Sequence, residues 1–143
     1  MIVLLLSGPN LNLLGQREPH VYGTDTLDEH VARARKVAEA HGLELEHVQS
    51  NSEGELVDAV HAARDRVAAI VVNAGALSHY AWSLHDALAA FDGHVVELHI
   101  SNPDAREPWR RQSVIAPVAT GVIAGFRGHG YELAVESVAR LLT

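Results

Sequence analysis

Apolar runs alternate with helical repeats along the whole chain. The run Ile2–Leu6 is continuously apolar, which is typical of a strand buried on both faces. Four further strands are predicted in the stretches LELEHVQS, VAAIVV, HVVELHI and APVATGVIAG. The chain therefore carries five strand signals at regular intervals.

Helices are predicted in the segments between these strands. Thr26-x-x-Glu29 and Ser52-x-x-Glu55 have the pattern of capping boxes at the starts of two helices. A third helix is predicted over roughly residues 80–91. The inner face of a closing helix is predicted from the repeat Tyr131, Val135, Val138 and Leu142.

This alternation predicts a parallel α/β sheet with helices on both faces and right-handed crossovers. At this chain length the best match for five such strands is a flavodoxin-like three-layer fold with the strand order 2-1-3-4-5. Residues 1–143 contain no repeat, low-complexity segment or linker, so one domain is expected.

Composition removes several classes of function. The net charge of −7 argues against a nucleic-acid or acidic-membrane partner, and no apolar run is long enough to span a membrane. The chain has no cysteine, which excludes thiolate chemistry and fits a cytoplasmic protein best. Its one lysine, Lys36, lies on a predicted helix face, so Schiff-base chemistry has almost no place to occur.

Polar side chains follow three of the predicted strands, at the sheet edge where open parallel sheets bind ligands. The first strand leads to Asn10, Asn12, Arg17 and Tyr22, the third to Asn73, Gly75 and His79, and the fourth to Glu97, His99, Ser101, Asn102, Arg106 and Arg110. Loops after strands are often polar, but this concentration predicts a binding site.

Several of these residues also have a purely structural interpretation. Asn10 in Gly-Pro-Asn suits a turn, and Asn73 suits a helix-capping turn. Arg106 and Arg110 are spaced to form surface ion pairs with neighbouring carboxylates, Asp104 or Glu107. Pro108 is tolerated only in a first helical turn, which places Arg106 just outside a helix.

Glu97 and His99 alternate in a strand, so both point to the same face. A carboxylate beside an imidazole fixes the ring tautomer and suits a general acid, although a structural pair satisfying its own hydrogen bonds remains an alternative.

Tyr22 is either a packing residue or a base. The ordinary pKa of a tyrosine hydroxyl is about 10, so a tyrosine base needs a nearby cation. Arg17 on the same loop, or Arg106, can supply one.

Four blocks of the chain resemble, in order and spacing, the type II 3-dehydroquinate dehydratases. These are GPNLNLLGQREPHVYG, NAGALSHYAWSLHDAL, VVELHISNPDAREPWRR and APVATGVIAGF…GY. The resemblance implies a single catalytic domain that converts 3-dehydroquinate reversibly to 3-dehydroshikimate through an enolate. It also implies no cofactor, no metal and a homododecamer built as a tetramer of trimers. The same reaction serves the shikimate pathway of aromatic amino acid biosynthesis and quinate breakdown.

The resemblance also implies catalytic roles. As a phenolate, Tyr22 removes the proton beside the ketone, and Arg17 and Arg106 keep it ionised. Asn10 holds the water that stabilises the enolate oxygen. His99 protonates the departing hydroxyl, and Glu97 orients His99.

Further positions match the family's substrate contacts. Asn73 and the Ile100–Ser101 backbone and hydroxyl match a clamp for the substrate carboxylate, and His79 and Arg110 match contacts to ring hydroxyls. Asp86 matches a residue that reaches the site from a neighbouring subunit. The segment from Arg17 to Tyr22 matches a mobile lid.

Pro108 and Trp109 depart from the family pattern, which bears on the contacts of Arg106 and Arg110 rather than on the reaction type. Two alternatives stay open. A flavodoxin-like ligand-binding module would need a Ser/Thr/Gly-rich phosphate loop where this chain has GPNLNLLGQREP. A non-catalytic paralogue is disfavoured because every expected catalytic position is filled.

Overall fold

A five-stranded parallel sheet forms the centre of the protein in the computed structural model, which describes residues 1–143. Its strands are β1 (Ile2–Ser7), β2 (Glu44–Gln49), β3 (Ala69–Asn73), β4 (His94–His99) and β5 (Gly121–Ala124). Their order in the sheet is β2-β1-β3-β4-β5, and every neighbouring pair is parallel. The predicted flavodoxin-like fold and strand order are confirmed.

Helices cover both faces of this sheet. They are α1 (Pro19–Tyr22), α2 (Leu27–Ala40), α3 (Glu53–Ala63), α4 (Trp82–Ala89) and α5 (His129–Leu141). Both predicted caps form, because the side chains of Thr26 and Ser52 accept the backbone N–H groups of Glu29 and Glu55. No helix is both long and apolar enough to cross a membrane.

Strand β1, which lies between β2 and β3, contributes to both cores. Val3 and Leu5 point to one face and pack with α2 and α5, whereas Leu4 and Leu6 point to the other and pack with α3 and α4. All four side chains are at most 2% exposed. Successive side chains of a strand alternate between faces, so a strand between two helical layers must be apolar at every position.

Two segments differ from the sequence-based boundaries. The helix predicted over roughly residues 80–91 begins only at Trp82, because a 3-10 helix over Gly75–His79 comes first. Tyr22, expected in a loop, lies at the end of the four-residue helix α1. Both differences occur where a strand end leads into irregular backbone that no simple periodicity describes.

The carboxyl ends of β1, β3 and β4 meet at one edge of the sheet. Ser7 at the end of β1 is in register with Asn73 at the end of β3. Gly8 follows at once, and a Cβ there would lie 2.4 Å from the carbonyl oxygen of Ala74. Only glycine lets these two strand ends approach so closely, which brings the polar loops that follow them together.

Candidate active site

A cleft with about 580 Å³ of empty space, open to solvent, lies at this edge of the sheet. Most of the polar residues predicted from the sequence line it, namely Asn10, Arg17, Tyr22, Asn73, His79, His99, Ser101, Arg106 and Arg110, together with Ile100. Glu97 contacts His99 from behind the cleft wall. Asp86 is absent from the lining, and its side chain on α4 is 84% exposed.

The backbone of Asn10 forms part of a turn, and its side chain lies at the cleft. Its backbone is in the left-handed region (φ 68°), which asparagine adopts more readily than most residues. Its backbone N–H donates to the side-chain oxygen of Asn51 at 3.0 Å. The turn interpretation therefore describes the backbone, while the exposed side chain of Asn10 remains at the cleft.

Tyr22 lies close to two guanidinium groups. Arg106 Nη1 donates a hydrogen bond of 2.8 Å to the Tyr22 hydroxyl oxygen. The Arg17 and Arg106 guanidinium carbons lie 5.0 Å and 5.3 Å from the centre of the Tyr22 ring. Tyr22 is only 9% exposed, so water screens these charges poorly. Two guanidinium groups thus lie next to one nearly buried phenol ring.

The second group with acid–base chemistry is the pair formed by Glu97 and His99. His99 Nε2 donates to Glu97 Oε2 at 2.7 Å, and Glu97 is 1% exposed. This bond fixes the proton on Nε2 and leaves Nδ1 as the ring nitrogen free to meet a ligand. Glu97 Oε2 also accepts from the hydroxyl of Ser113 at 2.6 Å.

Both the oxygen and the nitrogen of the Asn73 side-chain amide form hydrogen bonds within the protein. Its side-chain oxygen accepts from the Gly75 backbone N–H (3.3 Å), as the capping-turn interpretation predicts, and its nitrogen donates to the Tyr131 hydroxyl (3.0 Å). Burial raises the pKa of Tyr131 to about 12, so its hydroxyl stays neutral. The Asn73 amide nitrogen keeps a second hydrogen that is available to a ligand.

Three guanidinium groups make the cleft locally positive in a protein of net charge −7. Arg106 Nη1 also donates to the Ser101 hydroxyl oxygen (3.1 Å), which places that side chain in the cleft wall. Arg110 Nε pairs with Glu107 at 2.5 Å, as the ion-pair interpretation predicts. Hydrogen bonds from its own backbone N–H and from Arg110 lower the pKa of Glu107, so this carboxylate stays ionised.

The region around Pro108 agrees with the sequence-based expectation. Pro108 begins a 3-10 helix over Pro108–Arg110, and Arg106 lies outside it. The Arg110 guanidinium stacks on the exposed ring of Trp109 at 4.0 Å, and His79 meets the same ring edge-on at 5.5 Å. Trp109 thus forms an aromatic rim beside two cleft residues.

The sequence patterns do not predict the contacts that Ser113 and Tyr131 make with site residues. Ser113 bonds to Glu97 from a loop without periodicity, and nothing in its neighbourhood in the sequence signals that contact. Tyr131 was assigned only to the inner face of a helix, where it is fully buried. A tyrosine among aliphatic residues on such a face is the one available signal, since a buried hydroxyl needs a partner.

Comparison with known proteins agrees with this architecture. Residues 1–139 match the model of the family described as dehydroquinase class II. A protein of Bacillus licheniformis named 3-dehydroquinate dehydratase is 53% identical over 133 residues, covering 93% of this chain and 92% of its own. A Penicillium rubens protein named catabolic 3-dehydroquinase is 49% identical, covering 95% of this chain and 88% of its own.

Solved structures give the same result. The crystal structure of a type II dehydroquinase from Butyrivibrio crossotus has a TM-score of 0.94 and 37% sequence identity to this chain. The match covers 96% of this chain and 97% of that one. Fold and sequence thus agree along nearly the whole length, and the chain belongs to the class II dehydroquinase family.

Proposed function

We propose that this protein is a hydro-lyase that interconverts 3-dehydroquinate and 3-dehydroshikimate. The observation that carries the proposal is the Tyr22 hydroxyl oxygen, which accepts from Arg106 beside a second guanidinium and in the same cleft as His99. A phenolate base and an imidazole acid are what an elimination of water needs. The names of the relatives point to the same substrate.

The proposed reaction begins at Tyr22. The phenolate takes the proton beside the substrate ketone, and the electron pair left on carbon is delocalised as an enolate. Asn10, whose side chain is exposed at the cleft, holds a water that donates to the enolate oxygen. His99, oriented by Glu97 and carrying a hydrogen on each ring nitrogen for this step, then gives its Nδ1 proton to the departing hydroxyl, which leaves as water. Two protons are moved and no electron is lost or gained.

The remaining polar groups bind and orient the substrate. The free Asn73 amide hydrogen and the Ile100–Ser101 segment hold its carboxylate. His79 and Arg110 bind its ring hydroxyls, with Arg110 sharing its charge with Glu107. Arg17 and Tyr22 belong to a lid that closes over the substrate.

A Schiff-base route is disfavoured by the position of the single lysine. Lys36 is exposed on α2 and does not line the cleft. The amine that such a route needs is therefore missing from the site.

Assembly and location complete the proposal. Residues 1–143 act as one catalytic domain in the cytoplasm, in keeping with the absence of cysteine. The functional unit is a homododecamer, a tetramer of trimers, in which Asp86 reaches the cleft of a neighbouring subunit. Its exposure on α4, away from its own cleft, is compatible with that role.

A spectrophotometric assay tests the function directly. Purified protein mixed with 3-dehydroquinate is expected to produce the ultraviolet absorbance of an enone, without added metal and without inhibition by chelator or borohydride. Absence of turnover by a folded oligomer would overturn the proposal. Binding of a substrate analogue without turnover would instead support a non-catalytic paralogue.

A further inference from the structure

The side-chain hydroxyl of Ser113, in a loop, forms three hydrogen bonds. Its hydroxyl oxygen accepts from the backbone N–H groups of Ile115 and Ala116, both at 3.1 Å. A hydroxyl has two lone pairs and one hydrogen, so these contacts occupy its acceptor capacity. The remaining hydrogen points to Glu97 Oε2 at 2.6 Å. The backbone thus determines that Ser113 is a donor to Glu97.

Glu97 has few other partners. Its side chain is 2% exposed, and its two bonds, from His99 and from Ser113, both end on Oε2. The other oxygen, Oε1, is buried without a protein partner. A buried carboxylate is stable as an anion only when donors surround it. Ser113 is therefore the one protein donor that holds this carboxylate independently of His99.

We infer that Ser113 is a positioning residue that acts through Glu97 on His99. This inference rests on the proposed function, in which His99 is the general acid. With the Ser113 bond in place, the carboxylate is held in one orientation and keeps the His99 ring in the form with hydrogen on Nε2. Nδ1 is then directed to the substrate. Without that bond, Glu97 is attached only to the ring that it is meant to orient.

The test is a double-mutant cycle with Ser113→Ala and Glu97→Gln. A hydrogen bond to a charged group accounts for about a tenfold to hundredfold change in an equilibrium or rate. We expect Ser113→Ala to lower kcat by about that factor while KM changes less than about threefold. In the Glu97→Gln background the same substitution is expected to change kcat less than about twofold, because the carboxylate through which Ser113 acts is already absent.

Two further variants separate positioning from local unfolding. Ser113→Thr keeps the hydroxyl and is expected to restore most of kcat. Ser52→Ala removes a serine that also accepts a backbone N–H, that of Glu55, but lies outside the cleft. It is expected to leave kcat unchanged. Thermal unfolding of each variant shows whether it is folded at the assay temperature.

A spectroscopic measurement gives a result without turnover. The His99 Nε2–H proton, assigned with His99→Asn, is expected to give a downfield hydrogen-bonded NMR signal that shifts upfield or broadens in Ser113→Ala but not in Ser52→Ala. An unchanged signal, or an equal loss of kcat in the wild-type and Glu97→Gln backgrounds, would overturn the role of Ser113. A wild-type protein without dehydratase activity would overturn the proposed function instead, while the NMR result would still report on Ser113.

Discussion

At the scale of single residues, the chemistry depends on which atom of each side chain already forms a hydrogen bond within the protein. The Tyr22 oxygen accepts from Arg106, His99 uses Nε2 for Glu97, and Asn73 uses its oxygen for Gly75. Each of these bonds leaves a defined atom for the substrate. Groups that are held in this way once the substrate is bound lose little energy to reorganisation during the reaction.

The role of Tyr22 gives a prediction at this scale. Tyr22→Phe keeps the ring beside the two guanidinium groups but removes the oxygen that acts as base. Turnover is expected to fall by about 100-fold or more, since general base catalysis contributes that much. Binding of a substrate analogue, measured by calorimetry, is expected to change little.

Tyr80→Phe is the matched control, because Tyr80 is 61% exposed and lies outside the cleft. Turnover of Tyr22→Phe within tenfold of the control would remove Tyr22 from its role as base.

At the scale of elements, the segment between β1 and α2 carries the proposed base. Gly15 and Thr24, near the two ends of this segment, lie against each other, and we call this contact the neck. A Cβ on Gly15 would lie 2.7 Å from the Thr24 carbonyl oxygen. Helix α1 lies between them and presents Tyr22 to Arg106. The geometry of this neck therefore sets the position of Tyr22.

Gly15→Ala tests the neck of the segment. Alanine forces the two ends apart and is strained at a φ of +89°. A displacement of about 1 Å at a catalytic group costs up to about 100-fold in rate, so kcat/KM is expected to fall at least tenfold. Steady-state kinetics gives the value.

Gly42→Ala is the control for this variant. Gly42 has a φ of +71°, a Cβ there would meet nothing within 4 Å, and it lies at the end of α2. It carries a similar backbone strain without the clash. Equal kcat/KM in the two variants would show that the neck does not position Tyr22.

At the scale of the whole molecule, two histidines have lowered pKa values, His30, which is buried, and His47, which is half-buried. Burial is the main cause that lowers the pKa of His30, on α2, and of His47, on β2. His30 accepts a hydrogen bond from Arg33 on Nδ1 and stacks on Tyr131. His47 Nε2 lies 2.8 Å from the Ser7 hydroxyl oxygen. Both histidines are thus neutral in the folded protein at pH 7.

The lowered pKa values predict the pH dependence of stability. As the pH falls below about 6.5, the unfolded chain binds protons that the folded protein does not. The contribution of the two histidines to the free energy of unfolding is therefore complete above that pH. It declines toward pH 5, by at most about 1.4 kcal/mol per pH unit for each histidine. Urea unfolding at pH 7, 6 and 5, at one protein concentration, measures the decline.

His47→Gln keeps a polar partner for Ser7 and removes one titrating group, so a smaller decline is expected. Glu46, Glu107 and Glu136, whose pKa values are lowered by hydrogen bonds, lose their contribution only below about pH 4.5. An equal decline in His47→Gln and in the wild type would contradict the role of His47.

The assembly of subunits also belongs to the scale of the whole molecule. Mixing variant subunits tests whether Asp86 contributes to the cleft of a neighbour. Asp86→Ala and Tyr22→Phe are each expected to be nearly inactive. If Asp86 acts in a neighbour's cleft, mixed oligomers contain clefts with an intact Tyr22 from one subunit and an intact Asp86 from the other. Activity is expected to reappear after the two variants are unfolded and refolded together.

Asp58→Ala, which removes another exposed carboxylate, serves as the control and is expected to keep full activity. Absence of recovered activity in verified mixed oligomers would contradict a contribution of Asp86 across the interface.

The sequence by itself determined the fold of this protein and most of the polar residues that line its cleft. The continuous apolar run of β1 and the caps at Thr26 and Ser52 are local patterns, and parallel strands bring their carboxyl ends to one edge. The sequence therefore predicts that the residues after β1, β3 and β4 meet, and most of them line one cleft.

Only the tertiary structure decided which atoms contact each other. That Arg106 rather than Arg17 donates to the Tyr22 oxygen, that Tyr131 holds Asn73, and that Ser113 donates to Glu97 depend on approach between segments distant in sequence. Periodicity reports the face on which a side chain lies, but a hydrogen bond requires a position within a few tenths of an ångström. Packing of helices and loops on the sheet sets that position.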